Sequence, residues 1–516
     1  MRKAAVLASV VMVVGLFAAA VLFWSGATLA GDPVALARVD VQPFGGTLVS
    51  ARAFASDGRR IPLEVAGGRL TPRGHVLPGE RVTVDVVVRR PGWLGWALGK
   101  ERHERLTLYA PVAKVSSAWL TVPHGAPVRV RFDQPVSVVQ FGARQMQARG
   151  STVSLGQRPP AGAVTVRAAA RAWEWLGAAQ TVTWFPASRL PVVFATPAPD
   201  GRLLPVEPIR LTFSKPVADV LGPKRPVLTP SVRGSWTEPD SHTLLFTPTG
   251  FGAPLNVHVH VELPIAVAAT GGRTLTSTRQ IAWAVPGASF RRLQEMLAQA
   301  GYLPLTWIGP SVARTARAQL SAVVEPPQGR FVWRYPHTPP ELQALWVPGR
   351  PNAITRGAVM MFEHDHQLGV DGLAGARVWR TLVTDTIAGK RKTDGYSYVF
   401  VHRNVPQLLT LWHNGKIVLT SPGNTGVPQA PTQLGTFPVF EHIPTGTMSG
   451  TNPNGSHYHD PGIRWISYFH RGEALHAFNR ASFGTPQSLG CVELPLAQAA
   501  KVWPYTPIGT LVTIEN

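Results

Sequence analysis

The ten residues PVRVRFDQPV (Pro127–Val136) return 81 positions later as PIRLTFSKPV (Pro208–Val217), with Pro, Arg, Phe, Pro and Val kept in place. A chain that repeats at such an interval is built from small units, each burying its own core. One core is excluded in any case by the length of 516 residues. The repeated stretch alternates apolar and polar residues, the period of a strand with one buried face. VTVDVVVRR (Val82–Arg90) and HVHVE (His258–Glu262) do the same, with Pro/Gly turns between such runs. The 49 Gly and 48 Pro favour short strands and tight turns over long helices. The interval suits one small β-sandwich, so three in tandem are predicted, at 31–112, 113–190 and 191–286.

The start of the chain fixes a compartment. Arg2 and Lys3 precede Ala4–Trp24, 21 residues without a charge, and SGATLAGDP follows. A basic flank, an apolar stretch and a small-residue exit describe an export signal. The stretch also reaches the roughly 20 apolar residues needed to cross a bilayer. Residues 1–30 are read as a signal peptide or a signal-anchor helix, with the remainder outside the cytoplasmic membrane, held there or released to the cell envelope. The net charge of +21 attracts polyanions. Its basic residues are scattered, the longest run being Lys390-Arg391-Lys392, which argues against nucleic acid and for anionic envelope polymers.

Export sharpens the meaning of the one cysteine, Cys491 in QSLGCVEL. Exported proteins use cysteines in pairs, as disulfides. A single thiol is either a small buried hydrophobe or a nucleophile, and the count alone leaves both open. A nucleophile needs a base, usually His, and donors for the developing oxyanion. No His or Arg follows Cys491, so a base must lie upstream. His476, 15 residues earlier, ends a strand-like run and is separated from Cys491 by a Gly/Ser/Thr loop. Pairing of the two predicts a thiol pKa below the free value of about 8.5.

Helical periodicity returns only after residue 287. Ser289 is an N-cap for a helix with the stripe Leu293, Met296, Leu297, Ala300, ending at Gly301, and a second helix follows Thr355. Beyond Lys392 the strand-like runs YSYVFVH and LLTLWHNGKIVLT appear, the latter with the hairpin signal Asn414-Gly415.

Three family resemblances follow from these stretches. The unit from APDGRLLPVEPIRLTFSKPV to SHTLLFTPTG resembles bacterial Ig-like domains. The helical pair, with LQ–x3–L–x3–GY and the closing DG-x-x-G-x-x-x-W, resembles a peptidoglycan-binding module at 287–386, although Thr306–Trp346 interrupts the pattern. His476, Gly484, Ser488, Gly490, Cys491 and Val492 resemble the signature of the L,D-transpeptidase (YkuD-type) catalytic domain, and PTQLGTF and GTLVTI resemble two of its other segments. The implied architecture is mainly β and multidomain: tandem Ig-like sandwiches, a small helical domain, and an all-β catalytic domain at 390–516. As separate folding units these would tolerate loss of 287–386 without loss of Cys491 reactivity.

The resemblance implies Cys491 as nucleophile, His476 as general base, and Ser488 and Gly490 as the loop that shapes the oxyanion site. It implies acyl transfer from peptidoglycan tetrapeptide stems, with no cofactor and no metal. His457, His459 and Asp460 precede the catalytic segment closely enough to line its cleft, and Trp465 is a further substrate-binding candidate, although a tryptophan there is more often core. Glu493 stands where the family has Arg or Asn, on the same strand face as Cys491, and needs a cation such as Arg464 or Arg480 beside it. An L,D-carboxypeptidase and a non-catalytic wall-binding protein are the rival readings.

Overall fold

Val82, Val84, Val86 and Val88 all enter one buried core, while the residues between them do not, as the alternation in sequence requires. Their strand, Arg81–Arg89, lies in a four-stranded sheet with Thr47–Ala55, Arg60–Ile61 and Glu101–Tyr109. A second four-stranded sheet of Ala27–Gly31, Ala37–Val41, Arg69–Pro72 and Leu63–Ala66 shares that core. The computed structural model describes residues 2–270 and 275–516, and the fold is mainly β and multidomain. Arg2–Trp24 form one helix; among the described residues, no helix is long and apolar enough to cross a membrane. The signal or anchor reading falls partly on Met1 and on the side chains of residues 2–8 and 22, outside the described residues.

The two copies of the repeat agree in their first half only. Both begin as strands, Arg129–Phe141 and Ile209–Phe213. The first copy continues through Pro135, where its ladder to Arg144–Ser154 shifts register; the second turns into the helix Val217–Leu221. A bulge is one of the few places a strand tolerates proline, because the ladder bond is already missing there. Hydrogen bonding is continuous within each unit, through five strands in one sheet and seven in the other. Register shifts between Arg131 and Val136, and between Glu262 and Val267, bend long strands so that one strand serves both sides of a core.

The junctions between units are packed. Trp173 joins the core of the first unit and donates its indole N–H to the Val34 carbonyl at 3.0 Å. Phe185, Val192 and Ala268 form a small buried cluster between the second and third units. Val206 belongs to the helical core further on, and Arg202 pairs with Glu325 at 2.8 Å.

The helical segment starts as its sequence dictates. The Ser289 hydroxyl accepts from Arg292 N at 3.4 Å, and Leu293, Met296 and Leu297 are buried. The helix at Thr355, Ala353–Asp365, is capped by Asn352, and the last helix of the segment, Ala376–Ala388, closes at Gly389 with φ 71°. The interruption at 306–346 is a two-stranded ladder, Leu305–Ile308 against Arg330–Trp333, bracketing the helix Ala316–Val324.

Beyond residue 396 come two sheets. One runs Lys416–Pro422, Leu408–His413, Ser397–His402, Leu511–Glu515, Gly435–Pro438. The other runs Glu441–Thr451, His457–His470, Glu473–Ala477, Val492–Leu494. Val399, Leu411, Phe469, Leu475, Val492 and Val512 fill the space between them. Asn414 and Gly415 turn the first hairpin with φ 49° and 89°, the left-handed pair the Asn-Gly signal demands. This unit does not stand apart from the helices. Tyr398, Trp412 and Leu511 are part of the helical core, and Gly357 sits so close to the Gly509 carbonyl that a Cβ would lie 2.4 Å from it.

Candidate active site

Strands Glu473–Ala477 and Val492–Leu494 run parallel, with Leu475 opposite Val492 and His476 opposite Glu493. Paired residues in adjacent strands point to the same face, so His476 and Glu493 share one. Cys491 lies in the bend just before the second strand, with its Sγ 3.7 Å from the Gly472 carbonyl. His476 is buried, 3 % exposed, and its Nδ1 lies 3.0 Å from the Ala477 carbonyl. A carbonyl only accepts, so Nδ1 carries the proton and Nε2 is left as the basic nitrogen. Burial pushes the imidazole below its usual range, keeping it neutral at pH 7.

Cys491 is half-buried and packs with Ile463, Ile466, Ala474, Tyr468 and Phe478. Burial pushes its thiol up to about 12; the Ala474 N–H opposes this, and the carboxylates of Glu493 and Glu473 add to it. The expectation of a lowered thiol pKa is thereby reversed: desolvation outweighs anything a neutral imidazole can offer. The resting pair is thiol and imidazole, both uncharged. Labelling by iodoacetamide should therefore climb about tenfold per pH unit from 7 to 10, where a free cysteine levels off near 8.5. A plateau below pH 8 would instead reveal a preformed thiolate.

The loop before Cys491 is held from both sides. The Ser488 hydroxyl donates to the Cys491 carbonyl at 2.6 Å, and Gly490 adopts φ 110°, where a Cβ would meet Glu473 Cγ at 3.2 Å. Only glycine takes that backbone conformation at low cost. Glu473 in turn accepts from Gln433 N at 3.1 Å, which brings PTQLGTF to the site. Asn424, wholly buried, exchanges backbone hydrogen bonds with Glu493 at 2.9 Å in both directions and accepts from Gly484 N at 2.9 Å. Gln407 holds Thr425 N at 2.7 Å. Sequence reasoning missed Asn424 and Gln407; the signal was the Gly/Pro-rich turn SPGNTG, whose backbone needs side-chain partners once buried.

Glu493, 4 % exposed, has both carboxylate oxygens on Arg480, at 2.7 and 2.8 Å, and Arg480 also donates to the Gln487 carbonyl at 3.2 Å. Arg464 lies opposite Thr445 and takes no part. Removing one partner of a buried pair strands the other charge, at a cost of about 3–5 kcal/mol. Arg480→Ala should lower the thermal stability of the intact chain, and Glu493→Gln in the same chain should recover part of it. Equal melting of Arg480→Ala and the native chain would show that the pair carries no such load.

The long hairpin Glu441–Thr451/His457–His470 stands over the site. Its alternation places Tyr458 and Asp460 on one side and His457 and His459 on the other, exposed, bonded to Thr451 and Ser449 at 3.1 and 2.8 Å. Burial first, and negative charge at Cys491 second, raise the phenol pKa values of Tyr458 and Tyr468, so both rings lie within the field of the thiol. Asp460 acts on His476 in the same way. Trp465, at φ 61°, packs on Trp503 with ring centroids 5.2 Å apart and leans on the core between the sheets.

This site lies inside a recognisable domain. The family model described as YkuD, L,D-transpeptidase catalytic domain, matches residues 396–514, and that segment carries this domain. Among solved structures, an L,D-transpeptidase from Mycobacterium smegmatis is similar at 12 % identity over 63 % of this chain and 99 % of its own, TM-score 0.21. L,D-transpeptidase 3 from Mycobacterium tuberculosis is similar at 11 % identity over 63 % and 99 %, TM-score 0.22. The catalytic domain of the E. faecium L,D-transpeptidase is similar at 22 % identity over 24 % and 99 %, TM-score 0.22. No curated protein matches the chain.

Proposed function

We propose that the chain is an extracytoplasmic cell-wall L,D-transpeptidase working by cysteine acyl transfer on peptidoglycan tetrapeptide stems. The observation that carries this reading is a lone thiol at the entry to the strand that pairs with the strand of His476, a buried imidazole whose Nδ1–H is held and whose Nε2 is left to take a proton. As Cys491 Sγ bonds to the carbonyl carbon of stem residue three, Nε2 of His476 takes the thiol proton. The carbonyl oxygen becomes anionic beside the N–H groups of Gly490 and Cys491, which have no hydrogen-bond partner among the described residues. Collapse expels the terminal D-Ala, whose amine receives that proton from His476. A stem amine then attacks the thioester and gives up its proton to His476, which passes it to the departing sulfur, so that the amide is released and Cys491 returns to the thiol.

Ser488 and Gly490 hold the loop; Arg480 cancels the charge of Glu493, so Glu493 acts on substrate only through that guanidinium. Tyr458 and Asp460 are better placed than His457 and His459 to meet the stem. The helical segment would bind the wall, the helix Arg2–Trp24 would anchor the chain, and the chain's positive charge would favour anionic wall polymers. Incubating the ectodomain with tetrapeptide-stem muropeptides and weighing the products tests the reaction. Cross-linked dimers are expected; loss of D-Ala alone would make it an L,D-carboxypeptidase, and no acyl-enzyme would leave a wall-binding protein.

A further inference from the structure

The end of the first β unit from which the N-terminal helix departs is crowded with exposed aromatic rings. Phe23 and Trp24, at the last turn of that helix, are 78 % and 49 % exposed. Trp96 and Trp93 are 87 % and 53 % exposed, on the short helix Gly92–Leu98 that joins strands Arg81–Arg89 and Glu101–Tyr109. Single exposed apolar residues need no explanation; a group of large rings at one end of a unit does.

The contacts place these rings together. Phe44 N donates to the Trp24 carbonyl at 3.1 Å, and Gln42 N to the Gly26 carbonyl at 3.0 Å. The Phe44 ring meets Trp93 edge-on, with centroids 6.0 Å apart. The ladder pairs Thr47 with Arg89, so the loop before Thr47 and the tip after Arg89 lie at the same end. The tip is built, not loose. Arg90 donates to the carbonyls of Leu98 and Gly99, and Leu94 is buried beneath, which leaves Trp96 facing outward.

Charge completes the surface. Arg89 pairs with Glu101 and Arg102 with Glu104, at 3.9 and 2.5 Å, which leaves Arg90 and Lys100 as the cations without an acidic partner among the described residues of the tip. Tryptophan concentrates at the headgroup level of a bilayer, where an apolar face and an indole N–H are both satisfied, and basic residues beside it attract anionic lipid. These features lie where an apolar helix ends.

We propose that the hairpin tip 91–99 rests in the interfacial layer of the bilayer entered by the N-terminal helix, as a second, non-covalent foot that fixes the tilt of the β units. The occupant of this surface is anionic phospholipid. The proposal rests on the anchoring reading of residues 1–30 and adds a contact that reading does not require.

The test uses the full chain carrying Cys491→Ala, reconstituted in vesicles of phosphatidylcholine with phosphatidylglycerol. One cysteine at a time is introduced as Trp96→Cys, Ala19→Cys or Thr249→Cys and labelled with an environment-sensitive fluorophore. Nitroxide lipids, with the nitroxide near the headgroup, serve as quencher. Labels at positions 19 and 96 should be quenched several-fold more than the label at 249, and the effect at 96 should weaken in vesicles of phosphatidylcholine alone. Quenching at 19 with position 96 no different from 249 would overturn the foot and leave the anchor standing. No quenching at 19 would remove the anchor and the foot together. A shielded label at 96 that lipid nitroxides do not reach would assign the surface to a protein partner or a second copy, and would also overturn it.

Discussion

Excising residues 287–386 is expected to unfold the catalytic strands instead of releasing them as an active unit. Tyr398 and Leu511 are 0 % exposed and Trp412 is 1 % exposed, and all three belong to the core that the helices close. The indole of Trp412 also donates to the His337 carbonyl at 3.0 Å. Uncovering large apolar side chains costs about 1.5–3 kcal/mol each, so the three together cost about 5–9 kcal/mol. A domain is typically stable by only about 5–15 kcal/mol. The independence expected from sequence therefore does not hold across this boundary. Limited proteolysis and thermal melting of a chain lacking 287–386 would decide it. A cooperative melt of the catalytic strands at the temperature of the intact chain would show that the shared core is dispensable.

Acylation should depend on His476 more steeply than on any other residue except Cys491. With the thiol pushed up to about 12, the thiolate fraction at pH 7 is on the order of 10⁻⁵, so attack requires proton removal as the bond forms. A positioned base contributes about 10²–10⁴-fold, and His476→Gln should lose that much in the rate of acyl-enzyme formation with a tetrapeptide or β-lactam donor. Cys491→Ala should form none. Because burial holds the imidazole pKa low, the native rate should persist below pH 6.5, the range in which an exposed histidine base would already be protonated. Intact-protein mass spectrometry reads both results. An unchanged rate in His476→Gln would move the base elsewhere, with Glu473, whose carboxylate acts on the thiol, the first alternative.

What the sequence made legible was local or carried by a fixed pattern. Ser289 announced its helix because a cap acts within one turn, and Asn414-Gly415 announced its hairpin because the turn needs two left-handed residues. The need for a cation beside Glu493 followed from charge and strand period, and Arg480 supplies it. The phase of the long hairpin was not legible. A register shift between Gly446 and Met448 helps decide which of two alternating sets faces the thiol, and His457 and His459 look more chemical on paper than Tyr458. Nor was the place of 306–346, whose strands pair across a helix, a long-range contact that no local pattern records. The halves of the repeat diverge for a similar reason: Pro135 and Pro216 occupy equivalent positions, but one is absorbed by a bulge and the other starts a helix.

The buried junctions at Trp173, at Phe185 with Val192, and at Val206 have a consequence for reach. Flexible tethers let a tethered enzyme sample every radius up to its contour length, and its effective concentration spreads thinly through that volume. Joints closed by apolar contacts remove that freedom. On the proposed anchoring and wall function, the cleft would be carried at one standoff from the N-terminal end of the β units and would meet the stems of one stratum of the wall while passing over those nearer and farther. Stalk length, set by the number of β units, would become a radial address. Adding or deleting a unit would redirect the same chemistry to a different depth.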